Sequence, residues 1–453
     1  MKNPGQQLPQ VFIVGGGFGG LAAAKALAKS PAEVALLDRK NHHVFQPLLY
    51  QVATAALSPA DISASIRSIL RNQKNCQVAL AEVTGIDVSQ KRLYVARGFA
   101  HYDYLILAAG ATHAYFGHDE WAHVAPGLKS LEDATGLRRR ILLAYESAEY
   151  EGSEQARHAA LTFAIVGAGP TGVELAGAIK EIAGKTLPRD YKNIDTRTTR
   201  VILFQGMDRI LPSFAPELSQ KAERDLKRMG VEVRLNAQVT NITSKGLYIG
   251  EEFVPVRNVF WAAGVKASPL GQLLGVPLDR SGRVIVGPDL SIPGHPEVFV
   301  VGDMAAAVSD DTKQQVPGVA QGGIQMGHYA GVQITRELLG KQTPEQRPPF
   351  RYHDKGSMAI IGKSKAVAQI GRLKFGGFPA WVVWGLIHIV FLVGFRNRLQ
   401  VLASWFWNWL LNARDARLIT GDAELEIEVP KTVGFVDTSH PKPVFPPLGE
   451  PEE

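Results

Sequence analysis

Val11-Phe12-Ile13-Val14-Gly15-Gly16-Gly17-Phe18-Gly19-Gly20 runs an apolar strand into a glycine loop, and Leu21-Ala22-Ala23-Ala24-Lys25-Ala26-Leu27 carries the chain on as a helix. The same grammar returns at Phe163-Ala164-Ile165-Val166-Gly167-Ala168-Gly169-Pro170-Thr171-Gly172, followed by Val173-Glu174-Leu175-Ala176-Gly177-Ala178-Ile179. Both stretches fit G-x-G-x-x-G. The first glycine makes the tight turn, the second lets the backbone approach a pyrophosphate, and the third allows the helix to pack closely. Free N–H groups and the positive dipole end of each helix then face the phosphates. The chain is therefore predicted to hold two dinucleotides, one at Gly15, Gly17, Phe18 and Gly20, the other at Gly167, Gly169 and Gly172.

The residues after each loop distinguish the two sites. Glu33-Val34-Ala35-Leu36-Leu37-Asp38 is an apolar strand whose terminal acid lies about 20 residues beyond the glycines, the distance at which a carboxylate holds ribose hydroxyls. At the second site, Arg200-Val201-Ile202-Leu203-Phe204 ends in Gln205 instead. An amide there keeps hydrogen-bonding capacity but does not repel a 2′-phosphate, and Arg209 is near in sequence. NADH is expected as a donor, with weakened discrimination against NADPH; in the other reading Gln205 simply hydrogen-bonds NADH, with Met207 or Asp208 reshaping the loop and Asp208 restoring a negative charge.

Far downstream, Glu297-Val298-Phe299-Val300-Val301-Gly302-Asp303 is a short apolar strand ending in Gly-Asp. Taken alone, Asp303 reads equally as a helix N-cap. With two nucleotide motifs upstream, it resembles the Gly-Asp that binds the ribityl chain of FAD in two-dinucleotide-binding flavoproteins. A domain completed after the second fingerprint must be interrupted by the second domain. The expected fold class is α/β: two Rossmann-like domains, the FAD domain interrupted by the NAD(P)H domain, plus a C-terminal membrane-associating helical segment. The expected boundaries are 1–115 and 290–345 for the FAD domain, 116–289 for the NAD(P)H domain, 346–430 for a membrane-anchoring and quinone-access region, and 431–453 for a mobile tail.

Composition narrows the chemistry. The 453 residues are 45% hydrophobic with one cysteine, Cys76, so disulfide reductases and sulfide:quinone reductases of this architecture, which work through cysteines, are excluded. The net charge of +6 is modest, and no basic run interleaved with aromatics points to nucleic acid. His42 and His43 lack a companion at ligand spacing, so no metal is expected.

The C-terminal third changes character. The Pro- and charge-rich Lys341–Pro349 reads as a linker. Uncharged sequence then runs from Phe378 to Phe395, but it is broken by His388, Gly385 and Gly394 and falls short of the about 20 residues of a membrane span. Leu399–Leu411 carries Trp405, Phe406, Trp407 and Trp409, with Arg414 and Arg417 beyond. Two readings stand: helices lying in the headgroup region, or a buried hairpin at a subunit interface.

Val44-Phe45-Gln46-Pro47-Leu48-Leu49-Tyr50-Gln51-Val52-Ala53, Leu107-Ala108-Ala109-Gly110-Ala111-Thr112-His113-Ala114-Tyr115-Phe116-Gly117, Trp261-Ala262-Ala263-Gly264-Val265 and Gly394-Phe395-Arg396-Asn397-Arg398 resemble type II NADH:quinone oxidoreductases. The resemblance implies a non-proton-pumping flavoprotein on the cytoplasmic face of the cell membrane, peripherally bound to the lipid surface. It also implies FAD in the first domain (Ala109 and Gly110 at the flavin), NAD(P)H in the second (Ala263 and Gly264 alongside), a membrane quinone as acceptor, and a homodimer. Glu174 matches the family's glutamate near nicotinamide and flavin, implicated in proton delivery or substrate positioning; its other reading is a residue complementing the helix dipole. Ala320-Gln321-Gly322-Gly323-Ile324-Gln325 resembles the family's Ala-Gln-x-Ala-x-Gln motif. Gln321 and Gln325, sharing one helix face, are thereby quinone candidates. Gln46 is a third candidate, with a loop-packing amide as its other reading. The alternatives are a soluble NAD(P)H:ferredoxin-type reductase and an NADH-binding flavin redox sensor.

Overall fold

In the computed structural model, which describes residues 8–411, 414 and 416–420, two parallel sheets dominate. The first has the strand order Ser291–Ile292, His295–Val300, Tyr104–Leu107, Gln10–Val14, Glu33–Asp38, Cys76–Leu80. All neighbours run parallel except the outermost pair. The second has the order Val231–Arg234, Arg200–Phe204, Thr162–Val166, Asn258–Trp261, parallel throughout. Their central strands are apolar on both faces because helices and meanders cover both: Ile13, Leu105, Ile106 and Phe299 are buried in the first sheet, and Phe163, Ile165, Leu203 and Phe260 in the second. In each sheet the glycine-bearing strand sits where the strand order reverses, so each glycine turn opens onto the crevice at a switch point. This is the α/β fold expected from the two fingerprints.

The chain leaves the first unit and returns to it through a pair of short antiparallel strands, Ala111–His113 with Val265–Ala267. The expected return at 290 is too late. Leu274, Val284 and Leu290 are buried in the same core as Ile13 and Leu105, so the chain has rejoined the first unit before residue 290. The linker reading of Lys341–Pro349 also needs correction. The Arg347 side chain is only 1% exposed and pairs with Glu337 and Asp289. It also donates to the Pro296 carbonyl and lies over the Phe299 ring. A buried guanidinium satisfied on every side holds this stretch as a strap across the first unit.

Beyond the strap, Ser357–Gly362, Lys365–Ile370 and Leu373–Gly377 form an antiparallel sheet against the helix Pro170–Glu181. The approach is so close that a Cβ on Gly177 would sit 1.8 Å from the Ile361 carbonyl oxygen. Two helices follow, Phe378–Phe391 and Phe395–Leu411. Ala380, Trp384 and Val401 turn inward and are buried. Phe378, Val382, Leu386 and Val390, spaced by four, stay exposed, as do Phe395, Leu399, Leu402, Phe406 and Leu410. Among the described residues, no helix is long and apolar enough to cross a membrane. The proposed tail, 431–453, lies outside the described residues.

Candidate active site

The two glycine turns are built alike. Gly15 and Gly167 have φ of +105° and +101°, a left-handed region that side chains avoid. A Cβ on Gly20 or Gly172 would meet the Gly15 or Gly167 carbonyl oxygen at 1.8 and 1.9 Å, whereas a Cβ on Gly17 or Gly169 would have no atom within 4 Å. The outer glycines are thus consumed by packing, and the middle ones face open space. Gly17 and Gly169 cap the helices Phe18–Ala26 and Pro170–Glu181 without a side-chain hydrogen bond, which leaves the first N–H groups for a ligand's phosphates. The residues fit a dinucleotide pyrophosphate at both turns.

The strand-end residues close these turns. Asp38 Oδ2 accepts from Gly16 N at 2.6 Å, and its Oδ1 accepts from Lys40 N at 2.7 Å. Gln205 is buried, and its Oε1 accepts from Ala168 N at 3.1 Å. Arg209 donates to the Pro212 carbonyl at 3.0 Å. At the first turn's open side, Asp303 receives Lys129 Nζ at 3.4 Å, and Ala109 N–H reaches Met304 Sδ at 3.2 Å. The Gly110 and Gly302 carbonyls accept from Ser268 and Ala305 N–H. At the second turn, Ala263 lies directly against Gly167, and a Cβ on Gly264 would strike the Phe116 ring. His43 is a packed histidine: Nδ1 meets the Gly16 carbonyl at 3.1 Å, the ring packs edge-on against Phe18, and burial pushes its pKa down to about 4. Among the described residues there is no cluster that could hold a metal.

Two cavities share a wall. The smaller, about 160 Å³, lies between the turns and is lined by Phe18, Gln46, Lys129 and Thr171 together with Tyr50 and Glu174. The larger, about 460 Å³, opens beneath the C-terminal helices among Phe378, Trp381, Leu402 and Phe406, and Tyr50 and Glu174 line it as well. Glu174 is the fifth residue of the helix Pro170–Glu181, its Oε1 accepting from Ile360 N at 3.4 Å, and loss of solvent pushes its pKa up to about 8.

Residues 9–327 match the family model described as pyridine nucleotide-disulphide oxidoreductase, and residues 354–415 match the NDH2 C-terminal domain. A Mycobacterium tuberculosis protein named type II NADH:quinone oxidoreductase NdhA is 47% identical over 425 residues, covering 91% of this chain and 89% of that protein. Another from that organism, type II NADH:quinone oxidoreductase Ndh, is 45% identical over 436 residues, 92% of each. The chain belongs to the type II NADH:quinone oxidoreductases. The solved structure of NDH2 from Plasmodium falciparum in complex with NADH matches with a TM-score of 0.81 over 89% of this chain and 98% of that one, at 19% identity, a likeness of fold.

Not every quinone candidate in this type II oxidoreductase is placed alike. Gln46 lines the smaller cavity, and Gln321 is half-buried at the start of the helix Ala320–Leu338, next to Ala320, which lines it too. Gln325 is turned elsewhere. Its amide donates to the His353 carbonyl and accepts from His353 N–H, both at 2.9 Å, so it clamps the chain beyond the strap. Sequence reasoning missed Tyr50, Gln51 and Lys129; Tyr50 and Gln51 stood inside the quoted Gln-Pro-Leu-Leu-Tyr-Gln motif. Asn397 and Arg398, quoted there only as part of a motif, also have a structural role. Asn397 donates to the Ser63 and Ala60 carbonyls and Arg398 to those of Leu392 and Val390, pinning the helical pair to the body.

Proposed function

We propose that the two cavities are the two compartments of an FAD-dependent oxidoreductase: NADH delivers a hydride between the glycine turns, and a quinone accepts two electrons beneath the C-terminal helices, without proton pumping. The observation that carries this reading is the wall of Tyr50 and Glu174, which belongs to both compartments. FAD, when bound at Gly17, Asp38 and Asp303, supplies the hydride acceptor and the two-electron relay. The chain's own work is positioning and proton holding. Gly169 leaves its backbone open to the NADH pyrophosphate. Glu174, with its pKa at about 8, keeps a proton on its side-chain oxygen at neutral pH beside both compartments, where a general acid is useful. Gln46 and Gln321 present amides that can meet a carbonyl without adding charge.

The exposed stripes at Phe378, Leu386 and Val390 and at Phe395, Leu399 and Phe406 support a peripheral seat in the headgroup region, from which a quinone reaches the larger cavity without crossing water. A ferredoxin-type acceptor, an electron-transfer protein docking through charge, has no use for such a compartment. The test is stopped-flow reoxidation of the NADH-reduced holoenzyme by a short-chain quinone. Leu402→Trp, which crowds the larger cavity, should slow that step and leave reduction by NADH unchanged. Quinone reoxidation at the unmodified rate in that variant would overturn the cavity assignment.

A further inference from the structure

Tyr50 has a hydroxyl whose direction is dictated by its neighbours. Trp405 Nε1–H, which can only donate, reaches Gln51 Oε1 at 2.7 Å. That bond fixes the orientation of the Gln51 amide. Its Nε2 therefore faces the Tyr50 hydroxyl, 2.8 Å away, and the hydroxyl oxygen accepts. The hydroxyl's own proton must point elsewhere, and among the described residues no acceptor is found for it. Tyr50 and Gln51 both line the larger cavity, and Trp405, from the helix Phe395–Leu411, lines it beside them.

Taking the larger cavity as the quinone compartment, we infer that Tyr50 donates the hydrogen bond that seats the quinone carbonyl, with Gln51 and Trp405 as positioning residues that hold its hydroxyl in the donating orientation. The chemistry suits the compartment. A phenol is neutral, so it binds a carbonyl oxygen in an apolar space without the desolvation penalty of a charge. Burial and the neighbouring Glu174 charge both push the Tyr50 ionisation up, which keeps the proton on the phenol. The relay also ties seating to assembly, because the helix that closes the cavity is the one that supplies Trp405.

The test uses the holoenzyme, its flavin content measured first. Tyr50→Phe should retain flavin and reduction by NADH, lose about tenfold in the second-order rate of reoxidation by a short-chain quinone, and leave reoxidation by ferricyanide, which takes electrons without a seated carbonyl, unchanged. Gln51→Leu should lose less, and Tyr50→Phe combined with Gln51→Leu no more than Tyr50→Phe alone. A quinone rate as in the unmodified enzyme overturns the inference if Leu402→Trp is slow, and overturns the cavity assignment itself if Leu402→Trp is also unchanged. Equal slowing with ferricyanide overturns it too, because Tyr50 would then act on the flavin.

Discussion

The two glycine turns share a backbone and differ in what finishes them. At the first, a carboxylate oxygen of Asp38 closes the loop on Gly16 N–H; at the second, the amide oxygen of Gln205 closes it on Ala168 N–H. Two residues beyond the third glycine, the first helix has Ala22 and the second has Glu174. The strand-end residue therefore has two separable roles, holding the turn and presenting charge to a ribose. Gln205 keeps only the first. The second unit also carries Glu174, whose carboxyl burial pushes up to about 8, so the glycine turn is common to both halves while the buried carboxyl belongs to one.

The sharpest way to break the parallel is at the glycines. Gly20→Ala and Gly172→Ala place a methyl within 2 Å of a carbonyl oxygen and should cost several kcal/mol. The expected outcome is loss of soluble, flavin-loaded protein in the first case and of folded nucleotide unit in the second, seen in expression yield and thermal melts. Gly17→Ala and Gly169→Ala enter open space, so both should fold with melting temperatures near the parent's. The first should lose FAD and the second should raise the KM for NADH, each by about tenfold or more, because only the ligand's approach is blocked. A flavin-loaded Gly20→Ala enzyme, or a misfolded Gly17→Ala, would end the parallel.

Next in size is Glu174. Glu174→Gln keeps the shape and the Ile360 contact while removing the titrating proton, and should lower steady-state quinone reduction by about tenfold to a hundredfold with flavin content unchanged. Turnover equal to the parent's at every pH would make Glu174 only a wall. A smaller effect should follow Gln205→Glu. It restores a charge against a 2′-phosphate and should raise the ratio of NADH to NADPH specificity constants by about tenfold. A ratio already that high in the parent would show that the missing acid is replaced by another group in the loop.

A separate effect is in stability. The Glu174 carboxyl titrates near 8 in the folded chain against an ordinary 4.5, so between those values the folded state holds a proton that the unfolded state has lost. Its contribution is complete below about pH 4.5 and is lost as pH rises through 8. Melting temperatures of the parent should therefore fall across that window more steeply than those of Glu174→Gln.

The glycine turns, Asp38 and the Gly302-Asp303 strand were legible because each is a local backbone requirement written in consecutive residues. The interrupted domain was legible from the late Gly-Asp, but its return point was not. Leu274 and Val284 carry no periodic signal, and only the sheet they cover assigns them. Arg347 was misread as linker because buried ion pairs use the residue types of exposed loops. Trp405 lies 354 residues from Gln51, so the hydrogen-bonded row it completes with the neighbours Tyr50 and Gln51 exists only once the C-terminal helices have docked. The bond of Gln325 to His353 had no signal in sequence, because it joins a helix start to a loop 28 residues away.

The paired strands Ala111–His113 and Val265–Ala267 also bear on how the chain is born. His295–Val300 must reach its place beside Tyr104–Leu107 to complete the first sheet, yet the ribosome delivers the whole second unit before it. Until then Tyr104–Leu107 is an unpaired, apolar edge of the kind that seeks other chains. The inserted unit can fold on schedule because its sheet takes all four strands, between Thr162 and Trp261, from within the unit. Synthesis thus leaves one half of the molecule waiting for the other, and a pause or truncation between residues 268 and 295 would expose a sticky half-sheet.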